Sequence, residues 1–345
     1  MNAISTTAPA QGAASLPVSF TLFTGRKRLT KFLHVVDGVL AKEPPANAGT
    51  GRTDQVDMDL ADLPCFLAGL TTNQCLVTGV CDRTTANITP VEYPVPGAIN
   101  RTKEFFHYPN GPALVMLDHD PDKERPGMIP AELLAVLADI SPVFAAAARV
   151  VKLSTSAEVY APDGRLLSTP TPGFHVYFAV ADGQDIPRFG KALFRRLWLA
   201  GRGWGRLGKT GSFLLRGAID AAVFSPERCI FEAGAALGEG LEQRLGAAEF
   251  TPGGVLDTSL LPDLSEAEEA EYQRLVDEER GRLKPHQEPA RRVYAAGKAA
   301  ETGEDADRIY NRLADAEKGV IDCSATIMVA AQRRLWLPVR DTAEW

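Results

Sequence analysis

Leu114-Val-Met-Leu-Asp118-His-Asp120-Pro-Asp122 is the stretch on which the reading of this chain turns. With Ala113 before it, the apolar run Ala113–Leu117 has the length of a strand, and Pro121 stops it. Side chains alternate along a strand, so Asp118 and Asp120 are expected to project on one face at the end of a buried strand. Two carboxylates held that close repel, and both stay ionised when a cation sits between them. Hard oxygen ligands select Mg²⁺ or Mn²⁺ over zinc, and two such ions can clamp the attacking and leaving oxygens of a phosphoryl transfer. The bland reading is a turn, since Asp and Pro are both turn residues.

Outward from this stretch the pattern is mixed α/β. Strands are expected at Val18–Phe23, Phe32–Val36, Gln74–Val80, Arg149–Ser154 and Phe174–Val180, with shorter ones at Ser212–Leu215, Ala222–Phe224 and Cys229–Phe231. Helices are expected at Asp59–Gly69, with Asp59 as N-cap, at Pro130–Leu137, and at Asp185–Ala200. Ala41 to Gln55, rich in Pro, Gly, Ala and Asn, reads as a loop. Beyond Ser265 the texture turns charged and helical, with helices expected near Glu266–Leu283, Pro289–Glu301 and Asp305–Gly319. The expected organisation is a tail over residues 1–17, read as disordered, a catalytic body over 18–250, and a mainly helical region over 251–345.

Composition narrows the class. The chain has 345 residues, 45% of them hydrophobic, enough for a sizeable core, and no apolar run approaches the roughly 20 residues of a membrane span. Met1 to Pro17 has neither a basic start nor an apolar run, so no signal peptide is read there. Five cysteines at irregular spacing suit reduced thiols in a cytoplasm. Cys65, Cys75 and Cys81 lack a CxxC pair and a nearby His, so a zinc site is disfavoured. The net charge of −7 argues against a nucleic-acid partner until its distribution is considered. Ile186 to Ile219 holds Arg188, Lys191, Arg195, Arg196, Arg202, Arg206, Lys209 and Arg216 and no acid, and Arg26, Lys27, Arg28 and Lys31 form a second patch. A solvated helix face is the plainer account of such a run, whereas Leu256 to Glu279 is strongly acidic.

Two further residues suit the phosphoryl-transfer reading. Asp220 follows the apolar run Phe213–Ile219, which would deliver a third carboxylate from a neighbouring strand, although a lone Asp more often caps a helix. His175 opens the run Val176–Val180 and could donate to phosphate oxygens, although a lone His there is more often structural. One motif competes. Gly203-Trp-Gly-Arg-Leu-Gly208-Lys209-Thr210 satisfies GxxxxGK[ST], but a P-loop needs a strand before it and a helix after it. A basic helix precedes this match, a short apolar strand-like run follows it, and Trp204 would crowd the phosphate cradle.

In order and spacing, LVMLDHD (Leu114–Asp120), GFHVYF (Gly173–Phe178) and LLRGAID (Leu214–Asp220) resemble the motifs of the archaeo-eukaryotic primase superfamily, in particular the primase–polymerases of plasmids and integrated mobile elements. The resemblance runs from about Leu22 to Ala236 and includes NRTKEFFHYPNGPAL, KLSTS at Lys152–Ser156 and IDAAVFSPERCIFEAGA. It implies an RRM-like sheet carrying the carboxylates, an N-terminal α/β subdomain and following helices. Asp118, Asp120 and Asp220 would hold two Mg²⁺ or Mn²⁺ ions, and His175 would contact the triphosphate of an incoming nucleoside triphosphate. Ser154 and Ser156 stand where the family has a serine-rich stretch. Lys209 and Arg216 would meet phosphate or template, and Arg195, Arg196, Arg202 and Arg206 would bind DNA. Partners implied are a single-stranded template or primer–template and a replicative helicase. Here Gly173 replaces the family's Ser, and Ala157-Glu158 stands where Ser-Gly is typical. A P-loop ATPase or helicase fragment, and a non-catalytic DNA-binding initiator, remain the alternatives.

Overall fold

The computed structural model describes residues 15–122, 125 and 127–321. Its contacts divide into two compact units. One comprises residues 15–193 and 219–263, and the other residues 194–218 and 264–321.

At the centre of the first unit is the strand Phe174–Val180, in which all seven residues are buried. It pairs antiparallel with Ala113–His119 on one side and with Arg149–Leu153 on the other, and Glu249–Thr251 extends the sheet beyond the latter. Ala113–His119 and Arg149–Leu153 therefore run parallel to each other, linked through the helix Pro130–Ile140, with Phe174–Val180 inserted between them. Burial on both faces explains why Ala113–His119 and Phe174–Val180 read as unbroken apolar runs, whereas Arg149–Leu153 alternates between buried and half-buried residues. A second antiparallel sheet has the order Cys229–Ile230, Gln74–Val77, Pro17–Gly25, Gly51–Asp59, Thr85–Ile88. Its strand Pro17–Gly25 lies against Ala113–His119, and Phe20 and Phe23 are fully buried. Phe23, Leu29, Cys75, Val77 and Phe106 belong to one apolar cluster on that sheet.

Three local expectations need correction. The Ala41–Gln55 loop is in fact the end of a hairpin, Phe32–Val36 with Val39–Glu43, followed by the long strand Gly51–Asp59. Loop composition is confined to 44–50. Arg52 to Asp59 is polar, and its nine-residue pairing with Pro17–Gly25 outweighs the poor strand propensity of its aspartates. Ala222–Phe224 belongs to a 3₁₀ turn, Ala221–Phe224, because the Asp220 side chain accepts from the Ala222 N–H and caps it. At the amino end, residues 1–14 of the expected tail lie outside the described residues, but Ser15 and Leu16 are tied down: the Leu16 N–H donates to Asp59 Oδ2 at 2.8 Å.

The second unit contains an antiparallel hairpin, Gly203–Leu207 with Phe213–Gly217, a helix Glu266–Thr302 and a helix Ala306–Ile321. The two expected helices before residue 302 are one, with Pro285 and Pro289 inside it. Each proline removes one helical hydrogen bond, but Gly281 and Pro285 are exposed, so water can satisfy the freed carbonyl. Ser265 and Glu268 form a capping box at its start, and Gly303 ends it in the left-handed conformation, φ 74°. Among the described residues, no helix is long and apolar enough to cross a membrane.

Candidate functional site

Sheet register builds the site. Asp118 is the cross-strand partner of His175, and His175 in turn of Lys152, so three polar residues stand in one row across three adjacent strands. His175 Nε2 is 3.3 Å from Asp118 Oδ1. Its Nδ1 faces Glu232 Oε1, to which the Tyr177 hydroxyl also donates. Lys152 Nζ is 2.8 Å from Glu232 Oε2, poorly aligned for a hydrogen bond, so that contact is chiefly Coulombic. Glu232 is 1% exposed, Lys152 7% and His175 9%. Buried charges cost several kcal/mol each unless paired, and here two cations face two carboxylates.

The mutual burial sets the protonation states. Burial alone disfavours the imidazolium, but the Glu232 and Asp118 carboxylates outweigh it and push His175 up to about 10. Burial likewise disfavours the Glu232 carboxylate, and the charges of His175 and Lys152 bring it down to about 2. Burial, then the Glu232 charge, drive the Tyr177 phenol well above its ordinary range. The row is thus a buried salt-bridged cluster at neutral pH, with both ring nitrogens of His175 protonated and engaged.

Asp120 and Asp220 complete the rim. The backbone N–H of Asp220 donates to the carbonyl of Asp118 at 2.9 Å, which fixes these two residues side by side. Asp220 caps its 3₁₀ turn through Oδ1, and its Oδ2 is 3.7 Å from Arg228. The expected delivery of Asp220 from a neighbouring strand is corrected: that strand ends at Gly217 and pairs within the Gly203–Leu207 hairpin. Asp120 follows the end of its strand and still reaches solvent. Crowding by protein atoms, then the charge of Asp118, raises its pKa, while Lys31 and His175 oppose the rise and Asp220 adds to it. Gly173 permits this crowding. A Cβ at that position would stand 2.8 Å from the His119 carbonyl and 3.0 Å from Asp120 Oδ1, so a side chain there would force a shift. Lys42, whose pKa is lowered by desolvation and by Lys31, also feels Asp120.

Whether these residues suit a metal is a question of donor chemistry. Asp118 Oδ1 faces His175 Nε2, and the carboxylates of Asp118, Asp120 and Asp220 together offer hard oxygens of the kind that suit Mg²⁺ or Mn²⁺. Among the described residues, no three such side chains are drawn together closely enough to hold an ion as they stand. The carboxylates share a rim rather than a closed cage. Cys65 is exposed, whereas Cys75 and Cys81 are buried.

The other expected residues fall in two places. Ser154 is buried directly after Lys152's strand, its hydroxyl 3.4 Å from that of Ser156, and its N–H donates to the Gly173 carbonyl at 2.7 Å. Lys209, Arg216, Arg195, Arg196, Arg202 and Arg206 belong to the second unit. There Arg195 pairs with Glu269 and lies over the Tyr272 ring, and Arg196 pairs with Glu268 at 2.7 Å. Those two arginines are engaged by the acidic helix, whereas Arg202 and Arg206 are exposed. The P-loop match Gly203–Thr210 is a strand and the turn of a hairpin. Gly211 follows at φ 76° and the chain returns as strand Phe213–Gly217, so no helix N-terminus faces the would-be cradle.

Glu232 is the residue that the reading of the sequence passed over. Its signal was present: a single Glu between Phe231 and Ala233-Gly234, within an otherwise apolar and small run. Only the fold shows that Thr30, itself buried, anchors this segment, its hydroxyl 2.9 Å from both the Ala233 and Gly234 carbonyls. Comparison of the chain with protein-family models, with curated proteins and with solved structures gave no match.

Proposed function

We propose that the chain is a DNA primase–polymerase: a nucleotidyltransferase that joins a nucleoside triphosphate to a 3′-hydroxyl on single-stranded or primer–template DNA, in the replication of a plasmid or mobile element. The observation that carries this reading is the carboxylate rim, with Asp118 and Asp220 fixed side by side by a backbone hydrogen bond and Asp120 two residues on. The split arrangement of Ala113–His119, helix Pro130–Ile140 and Arg149–Leu153 around Phe174–Val180 supports the RRM-like part of the reading. The fourth strand departs from it, lying beside Arg149–Leu153 rather than beside Ala113–His119.

On this reading Asp118, Asp120 and Asp220 would hold two divalent cations. When bound, such ions supply activation of the attacking hydroxyl and neutralisation of the leaving pyrophosphate. His175 holds Asp118 from behind through Nε2, and Lys31 and Lys42 bring positive charge to the Asp120 side, where phosphates would otherwise be repelled by the acids. Ser154 and Ser156 line the nucleotide side. In the second unit Arg202, Arg206, Lys209 and Arg216 would contact DNA, and a replicative helicase is the candidate protein partner. Catalysis would then rest on positioning and charge rather than on a covalent intermediate.

The test is incorporation of labelled nucleotide on single-stranded DNA, with and without a primer, in Mg²⁺ or Mn²⁺. Product that disappears in Asp118→Ala/Asp120→Ala supports the reading, and the primer-free lane separates priming from extension. No product under either metal, with DNA binding intact, overturns it in favour of a non-catalytic initiator.

A further inference from the structure

Behind the carboxylate rim lies a buried carboxylate, Glu232, which is 1% exposed and takes no part in the proposed reaction. Glu232 holds Nδ1 of His175, accepts from Tyr177 and is neutralised by Lys152. All four groups are buried, and the backbone of the Glu232 segment is pinned by Thr30. For stability alone, such a charged cluster is no better than apolar side chains of the same volume. What the cluster achieves is geometric. With Nδ1 held, the ring of His175 has one orientation, and its Nε2 can face only toward Asp118. The pattern is that of a carboxylate orienting a histidine that in turn braces Asp118, and loss of partners that brace metal-ligating groups typically costs about 10–100-fold in metal affinity or activity.

We propose that Glu232 is a positioning residue for nucleotidyl transfer, acting through His175 on the carboxylate of Asp118. This rests on the nucleotidyltransferase reading and adds a residue, with Lys152 as its counter-charge, that touches neither nucleotide nor DNA.

The experiment is a double-mutant cycle on the full chain: wild type, Glu232→Gln, His175→Ala and the double variant. Nucleotide incorporation is measured per folded molecule, and Mn²⁺ affinity is measured separately by the loss of free-Mn²⁺ signal in electron paramagnetic resonance. Glu232→Gln keeps the shape and the acceptor oxygen while removing the charge. The expected result is a fall of about 10–100-fold in kcat in Glu232→Gln, larger than any change in nucleotide KM, with the double variant no worse than His175→Ala. Glu232→Asp is expected to recover part of the loss. Additive effects of the two substitutions, or a loss seen only as less folded protein, overturn the positioning role while leaving the nucleotidyltransferase reading intact. If the wild type incorporates nothing, that reading fails and the same cycle on Mn²⁺ affinity decides: non-additive losses sustain the positioning of Asp118, and additive losses reject it. A chain that neither incorporates nucleotide nor takes up Mn²⁺ overturns both.

Discussion

Two regions of this chain carry a formal signature of phosphate chemistry, and they differ in what the backbone does with it. LVMLDHD pairs with a strand that is buried on both faces, so its first polar side chain meets the polar residue opposite and the row Asp118–His175–Lys152 forms by register. Gly203–Thr210 matches a P-loop letter for letter, yet its glycines serve the close packing and turning of a hairpin. A Cβ on Gly203 would stand 2.1 Å from the Trp198 ring. A spacing match has chemical content only when the backbone conformation that the chemistry needs is the one formed. Carboxylates on a strand need only the pleat and a neighbour; a phosphate cradle needs a helix N-terminus.

The largest expected effect separates the two regions directly. Asp118→Ala/Asp120→Ala should lower incorporation by about 10³-fold or more, as loss of metal-borne charge stabilisation worth several kcal/mol requires. Lys209→Ala should lower it by no more than about threefold, as expected for a single exposed cation that is not a P-loop lysine. Equal losses in the two variants would erase the distinction.

Stability gives the next contrast. Lys152→Met leaves the Glu232 charge under-compensated in the buried row and should cost about 3–5 kcal/mol, read as a lower urea midpoint. In the hairpin, Gly211→Ala places a Cβ at φ 76° and 2.4 Å from the Gln287 carbonyl, and should cost about 1–3 kcal/mol. A true P-loop would instead show little stability change and lose nucleotide binding.

The pH dependence sharpens the account of the buried row. Glu232 has its folded pKa depressed, so its contribution is present above about 4.5 and is lost as pH falls through about 2. His175 has its folded pKa raised, so its contribution is present below about 6.5 and is lost as pH rises through about 10. The denaturation midpoint should therefore decline on both sides of a plateau at weakly acidic pH. Glu232→Gln should remove the acid limb and shrink the alkaline one, which Asp118 alone then supports. An unchanged profile would place the charges elsewhere.

The smallest effect concerns DNA. Arg202→Ala should reduce the slope of log affinity against log salt by about 0.7–1, one phosphate contact. Arg195→Ala, whose guanidinium is held by Glu269 and Tyr272, should leave the slope unchanged.

Features with local causes were legible in the sequence alone. Apolar runs of strand length, Asp59 as a cap, the helix start near Ile186 and the placement of Asp118 at a strand end follow from side-chain periodicity, proline and capping chemistry. The polar strand Gly51–Asp59 was not legible, because nine pairings with Pro17–Gly25, and not its own residues, make it a strand. The continuity of Glu266–Thr302 through Pro285 depended on solvent reaching one carbonyl. Glu232 was hidden for a deeper reason. Its partners lie 55, 57 and 80 residues away, at Tyr177, His175 and Lys152, and a charge is worth burying only where the fold delivers its counter-charges. Sequence fixes which side chains can make such contacts; strand register and the close approach of separate segments decide which of them meet.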